Sequence, residues 1–267
     1  MWMSRWGLLR DPFAGSDSPY VSLPSHDEAV ARLLFSIETS QRWSTLAGSA
    51  GLGKSAVLRK VRLESHSPRR RFVSIVCPPD GDLLFSTLAE CLGQSVGRAP
   101  SRAGGWRGLE RGVRLATLEG CQLVLAIDDC ADPLEAKVRR DLETFSRLAS
   151  AINSDLSIIL MERSATGGHS AASDAWSIPI HLERLTRSQA EKLLAAKLEY
   201  AGNPDRIFTP RALTRLHALS RGVPRILEQL AVLCLIGGAS RGLEVIQPDL
   251  VDAIAQRDAT DAMVSGR

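Results

Sequence analysis

The chain has 267 residues, 44% of them hydrophobic and 24% charged, which is enough for one large domain or two smaller ones with full cores. Its net charge of +3 permits contact with nucleic acid but falls short of a dedicated basic reader. No stretch approaches the roughly 18 apolar residues of a membrane span. Arg5, Arg10 and Asp11 interrupt any signal-peptide core near the N-terminus, so the chain reads as cytoplasmic with no direct membrane insertion.

Five apolar, β-rich runs follow one another along the chain: WSTLA (43–47), RFVSIVC (71–77), QLVLAID (122–128), DLSIILME (155–162) and SIPIHLE (177–183). Helix-like patterns separate them, such as EAVARLLFSIETS before the first and PLEAKVRRDLETFSRLASAI after the third. Near-continuous apolar strands alternating with helices predict an α/β fold, its five-stranded, mostly parallel sheet covered on both faces. The basic run Arg69 to Arg71 reads as a solvated edge before a strand, with a phosphate-binding patch as the alternative. Gly93 to Gly112 is rich in Gly, Arg and Ser and reads as a mobile surface loop, as does 164–174.

From about Thr186 four amphipathic segments, split by Gly or Pro, predict a small all-helical domain at 186–267 after an α/β domain at 1–185. Thr186 and Thr209 are expected helix starts, Gly202 and Gly222 expected stops. The five cysteines (Cys77, Cys91, Cys121, Cys130, Cys234) show no metal-ligand spacing and read as reduced, small core residues.

Residues 48–55 read GSAGLGKS, which fits G-x-x-x-x-G-K-[ST] at Gly48, Gly53, Lys54 and Ser55. A strand precedes the motif and a helix follows it, as phosphate cradling requires. Glycines let backbone N–H groups turn toward phosphate oxygens, and the following helix points its positive end at them. The expected nucleotide contacts are Gly48, Ser49, Ala50, Gly51, Leu52, Gly53, Lys54, Ser55 and Ala56. Lys54 would reach the β and γ oxygens, and Ser55 would offer its hydroxyl to Mg²⁺. About 70 residues later LVLAIDDC (123–130) ends a buried strand in two carboxylates, and Asp128 is the expected second metal contact. The absence of a guanine-reading NKxD favours ATP over GTP. The fold expected is thus a P-loop NTPase with a helical lid.

These residues resemble the AAA+ ATPases of the general-secretion-pathway A (ExeA) type, related to the transposition ATPases TniB and TnsC. The likeness lies in WGLLRDPF (6–13), YVSLPSHDEAVARLLFSIE (20–38), HLERLTRSQAEKLLAAKLEYAG (181–202) and FTPRALTRLHALSRGVPRILEQL (208–230). It implies that Pro12 and Phe13 wall the adenine, although a plain apolar strap on the core is the alternative for Phe13. It also implies that Arg225, after Pro224, is a lid arginine reaching the γ-phosphate. Glu162 and Arg163 are poor matches to the family's polar sensor, and Arg163 and Arg184 are the options for an arginine finger.

Asp129 stands where the family commonly carries the water-activating Glu. It is one methylene shorter, about 1.5 Å, and a misplacement of about 1 Å can cost on the order of 10²-fold in rate. The resemblance therefore implies an ATP- and Mg²⁺-binding switch that hydrolyses slowly and forms a nucleotide-dependent homo-oligomer with an unidentified protein partner or DNA. A non-hydrolysing nucleotide-binding scaffold is the alternative.

Overall fold

The structure is a computed structural model that describes residues 2–14, 19–78, 83–96, 101–130, 136–163 and 178–265. Five strands, β1 (Trp43–Ala47), β2 (Arg70–Val76), β3 (Gln122–Cys130), β4 (Leu156–Glu162) and β5 (Ile178–His181), form one sheet in the order β2-β3-β4-β1-β5. Every pairing is parallel. All seven residues of β4 are buried, which is why its sequence runs apolar without alternation. The strand order places the carboxyl ends of β1 and β3 on either side of β4, the place where open α/β sheets bind ligands.

Two compact units are present, one of residues 25–50 and 54–182, the other of residues 1–24, 51–53 and 183–267. In the first, α2 (Pro24–Glu38, from Ser25 on), α3 (Lys54–Glu64), α4 (Leu84–Cys91), α5 (Arg102–Leu118) and α6 (Ala136–Ala151) accompany the sheet. Leu123, Leu125 and Ile127 of β3 share a core with Phe85, Leu109 and Phe145. Trp106 packs edge-on against Phe85 and Phe145, with ring centroids 5.2 and 5.8 Å away.

Helix α5 corrects the loop expected over 93–112 from Arg102 onward, while 93–96 are without helix or strand and 97–100 lie outside the described residues. Its glycines do not loosen the chain; they let α5 approach α4. A Cβ on Gly105 would lie 2.4 Å from Ser86 N, one on Gly108 2.9 Å from Ala89 Cβ, and one on Gly112 2.8 Å from Leu92 Cδ1. Ser101 caps the helix by accepting from Gly104 N at 3.1 Å. The second expected loop, 164–174, lies outside the described residues. Of the basic run, Arg70 donates to Gln122 Oε1 and Ser65 O, and Arg71 pairs with Glu119, so two of the three arginines are engaged at the start of β2.

In the second unit α7 (Arg187–Tyr200), α8 (Pro210–Ser220), α9 (Pro224–Ser240) and α10 (Pro248–Ser265) supply the helices expected after Thr186. Thr186 and Thr209 are the N-caps of α7 and α8, and Thr186 closes a capping box with Gln189. Helix α8 stops on two left-handed residues, Arg221 and Gly222. Gly222 admits no side chain, since a Cβ there would lie 2.4 Å from Leu185 O.

Residues 1–24 belong to this helical unit and not to the sheet unit, as the 1–185 assignment had it. The reason is the WGLL segment that follows α1 (Trp2–Arg5). Trp6 is buried, donates to Leu235 O at 2.8 Å, and rests against Gly238. Asn203 Nδ2 donates to Trp6 O at 2.5 Å, and Arg5 donates to Gly242 O at 2.7 Å. The cysteines also depart in part from the core reading: Cys234 is buried, Cys77 and Cys121 are half-buried, and Cys91 is exposed. Among the described residues no helix is long and apolar enough to cross a membrane.

Candidate functional site

The loop after β1 is built by backbone conformation. Gly48 is buried and donates its N–H to Glu162 O at 3.3 Å, which ties the loop start to the end of β4. Gly51 and Gly53 have φ of +82° and +97°, left-handed values that glycine adopts without strain. The chain then enters α3 at Lys54, so the amino end of an 11-residue helix opens directly beyond the loop. Such a turn leads backbone N–H groups and the positive end of the helix dipole to one place, a setting for anions.

Lys54 is only 8% exposed, and its ammonium donates to Gly48 O at 2.5 Å and to Ser49 O at 3.2 Å. Burying that charge costs free energy unless it is satisfied, and the loop carbonyls satisfy it here. Ser55 follows on the exposed side of α3, and its Oγ donates to Asp128 Oδ2 at 3.0 Å. Strand β4 separates β1 from β3, so this contact crosses the end of the central strand.

Asp128 is held from both sides. It pairs with Val76 of β2, and its carbonyl accepts from Cys77 N at 2.6 Å. Toward β4 the register shifts: Ile127 pairs with Leu160 but Cys130 with Glu162, so β3 fits in one residue more than β4 across Asp128 and Asp129. A bulge of this kind bends a strand and frequently lies next to a functional site. The Asp129 side chain lies outside the described part of the structure.

The middle of the loop clusters with the helical unit. Gly51 O accepts from Arg225 N at 3.2 Å, and a Cβ on Gly51 would lie 3.0 Å from Arg225 Cβ and 3.1 Å from Val223 Cγ1. Pro224 is the buried first residue of α9, and Arg225, the second, is exposed.

The donor set fits a hard divalent cation brought in by phosphates. A hydroxyl and a carboxylate 3.0 Å apart are oxygen ligands of the type magnesium takes, one or two from protein and the rest from water and phosphate. No group of three His, Cys, Asp or Glu that could cage a metal exists among the described residues.

No family model matches the chain. By sequence it is 26% identical over 264 residues to the general secretion pathway protein A of Aeromonas hydrophila, an alignment that takes in 91% of this chain and 46% of that protein. The chain thus spans under half the length of that relative. Its structure resembles the ORC1 protein of Aeropyrum pernix in complex with DNA, with a TM-score of 0.70 and 20% identity over 95% of this chain and 69% of that one. It also resembles the ORC2 protein of the same organism, solved in ADPNP–ADP complexes, with a TM-score of 0.69 and 17% identity over 92% of this chain and 71% of that one. The chain shares the fold of these ORC proteins, a P-loop α/β sheet unit accompanied by a helical unit.

Within this fold the other expected residues fall as follows. Ala56 lies in the first turn of α3, and Leu52 is buried at 3% exposure in the loop. Pro12 is buried, and the half-buried Phe13 packs on the core that contains Trp6 and Leu227. This is the contact required of an apolar strap. Arg184 donates to Arg221 O at 3.3 Å, and Arg163 is exposed just past β4.

Sequence reasoning missed one pair beside Phe13. The ammonium of Lys197 sits 5.9 Å from the Phe13 ring centroid and pairs with Glu228. Lys197 is 8% exposed and shares its buried face of α7 with Ala190, Leu193, Leu194 and Leu198. An interior lysine in an otherwise apolar helix stripe was the available signal.

Proposed function

We propose that this chain is a nucleotide-dependent switch that binds Mg-ATP on the GSAGLGKS loop and hydrolyses it slowly. The observation that carries this reading is the Ser55–Asp128 hydrogen bond of 3.0 Å beside the buried Lys54 ammonium. It joins residues 73 positions apart into the hydroxyl, carboxylate and ammonium that a magnesium triphosphate requires. Lys54 and the α3 amino end receive the phosphates; Ser55 and Asp128 receive the cation. Arg225 supplies a further cation to the γ-phosphate, so that triphosphate and diphosphate differ in their contacts. Such a difference is what a ligand needs in order to shift a conformational equilibrium. Pro12 and Phe13 wall the base, and Asp129 orients water with a shorter reach than Glu would have.

Calorimetry with Mg-ATP on the purified chain tests the reading, with Lys54→Ala as the blank. Saturable, magnesium-dependent binding in the parent and its loss in the variant is the expected result; no uptake by the folded parent refutes the reading. Product formed over hours above the Lys54→Ala background separates a slow ATPase from a scaffold that only holds nucleotide. Light scattering with a slowly hydrolysed ATP analogue tests whether the nucleotide-bound form assembles into a homo-oligomer with itself or on a partner.

A DNA partner is favoured by one feature of α5. Arg107, Arg111 and Arg114 are exposed at helical spacing and line a groove of about 540 Å³ with Ser95, Val96 and Gly104. Glu110 pairs with Arg114, and Arg111 donates to Ser95 O, so the charge is only partly offset. Three phosphate contacts predict a log–log salt slope of roughly −3 for duplex binding. A flat, weak response favours an acidic protein partner instead.

A further inference from the structure

We propose that the main-chain N–H of Arg225 is a positioning group for the phosphate loop, distinct from the guanidinium of the same residue. This rests on the nucleotide reading above and adds a means of regulating that site.

Helix α9 begins Val223-Pro224-Arg225, with Val223 as its N-cap. The first backbone N–H groups of any helix lack partners inside the helix, and a Ser, Thr, Asp or Asn at the N-cap usually accepts from one of them. Valine has no acceptor, and no side chain caps α9. Pro224 has no N–H to satisfy. The first donor left open is therefore that of Arg225, and it finds Gly51 O at 3.2 Å. A carbonyl of the phosphate loop does for α9 what a capping side chain does elsewhere.

The approach that permits this bond is tight. A Cβ on Gly51 would meet Arg225 Cβ at 3.0 Å and Val223 Cγ1 at 3.1 Å, and the φ of +82° is costly for any other residue. Position 51 is one of the variable places in G-x-x-x-x-G-K-[ST], so the phosphate motif itself does not demand glycine there. The left-handed turn and the close seating of α9 both do. Through this bond the amino end of α9 holds Gly51 at the bend of the loop.

Three variants of the whole chain separate the main chain from the side chain. Arg225→Ala keeps the N–H and removes the guanidinium. Arg225→Pro removes both, in the first helical turn where proline is tolerated. Ile226→Pro places the same ring one position further on. The readouts are amide exchange of the peptide covering 48–55 in the nucleotide-free protein, and affinity for Mg-ADP, which lacks the γ-phosphate that the guanidinium would read. The expected result is faster exchange in 48–55 and about three- to tenfold weaker Mg-ADP binding for Arg225→Pro than for Arg225→Ala, the loss of one hydrogen bond. Ile226→Pro should behave as the parent. Equal exchange and affinity in the Pro and Ala variants, or the same change from Ile226→Pro, overturns the proposal. Should Arg225→Pro fail to fold, Val223→Thr keeps the branched shape and offers the N-cap acceptor that competes for the Arg225 N–H: faster exchange at 48–55 supports the proposal, and unchanged exchange overturns it. A parent chain that takes up no Mg-ADP sinks the nucleotide reading alone, since exchange without nucleotide still decides the contact.

Discussion

Replacing Ser55 by alanine removes one hydrogen bond of 3.0 Å to the Asp128 carboxylate. Ser55 is exposed, so in the nucleotide-free protein water takes the place of its hydroxyl, and the cost in stability should stay below about 1 kcal/mol. With magnesium and nucleotide present the same hydroxyl is to serve the cation. Loss of a group that ligates or orients at a metal typically costs about 10- to 100-fold in metal affinity, or about 1.4 to 2.7 kcal/mol. Asp128→Asn removes the charge and keeps the shape, and should lose a similar amount. Because both groups act on one ion, the double variant should fall short of the summed losses by at least about 0.5 kcal/mol. Calorimetric titration with ADP across a magnesium series, repeated with a chelator, reads all four corners of this cycle. The chelator should bring parent and variants to the same weak affinity. Equal losses with and without magnesium, or strict additivity, would refute the assignment of Ser55 and Asp128 to the cation.

Gly105→Ala should destabilise the sheet unit by about 1 to 3 kcal/mol in urea unfolding, since the added methyl starts 2.4 Å from Ser86 N and α5 has to move off α4. A change under a few tenths of a kcal/mol would mean that the α4–α5 contact is looser than described. Asp129→Glu, which restores the longer carboxylate, should raise single-turnover hydrolysis by up to about 10²-fold, and no gain would remove reach as the limiting factor. Burial pushes the Cys234 thiol up to about 12, so thiolate is scarce at neutral pH and also shielded from reagent. Peptide mapping after maleimide treatment of the native chain should therefore find Cys91 labelled and Cys234 unlabelled until denaturant is added.

The strands and the phosphate loop could be read in advance because their causes are local. Each strand is a short apolar run whose neighbours are polar or helical, and a strand buried on both faces needs no more than that. GSAGLGKS carries its own geometry, since Gly51 and Gly53 permit the left-handed turns the loop adopts. Helix α5 was misread for the opposite reason. Gly105, Gly108 and Gly112 look like breakers when each is weighed against its sequence neighbours. What decides their conformation is α4, which approaches so closely that any larger residue would collide. The spacing of these glycines at three and four residues is a helical period, and it was present in the sequence as a packing signal. Trp6 is a similar case. Its partners, Leu235 and Gly238, lie more than 200 positions away, so no window around the N-terminus shows that residues 1–24 join the helical unit.

The contacts that no local reading reaches include the one between Gly51 and Arg225. Lys54 and Ser55 stand where G-x-x-x-x-G-K-[ST] puts its lysine and hydroxyl, and Asp128 follows the apolar run of a buried strand, so all three could be proposed from their spacing. The Arg225–Gly51 bond depends on something subtler, the lack of a capping side chain at Val223 together with a glycine at a position the motif leaves open. Neither feature announces the contact alone: valine at an N-cap is merely weak, and the left-handed turn at 51 calls for glycine in any case. Packed together they give the amino end of α9 a partner in the loop and give the loop a restraint outside its own strand and helix. If phosphate binding and α9 position are coupled, the coupling has to pass through contacts that differ between nucleotide states. The Arg225 N–H to Gly51 O bond is the candidate for such a contact, and Arg225→Pro set against Arg225→Ala tests it apart from the guanidinium.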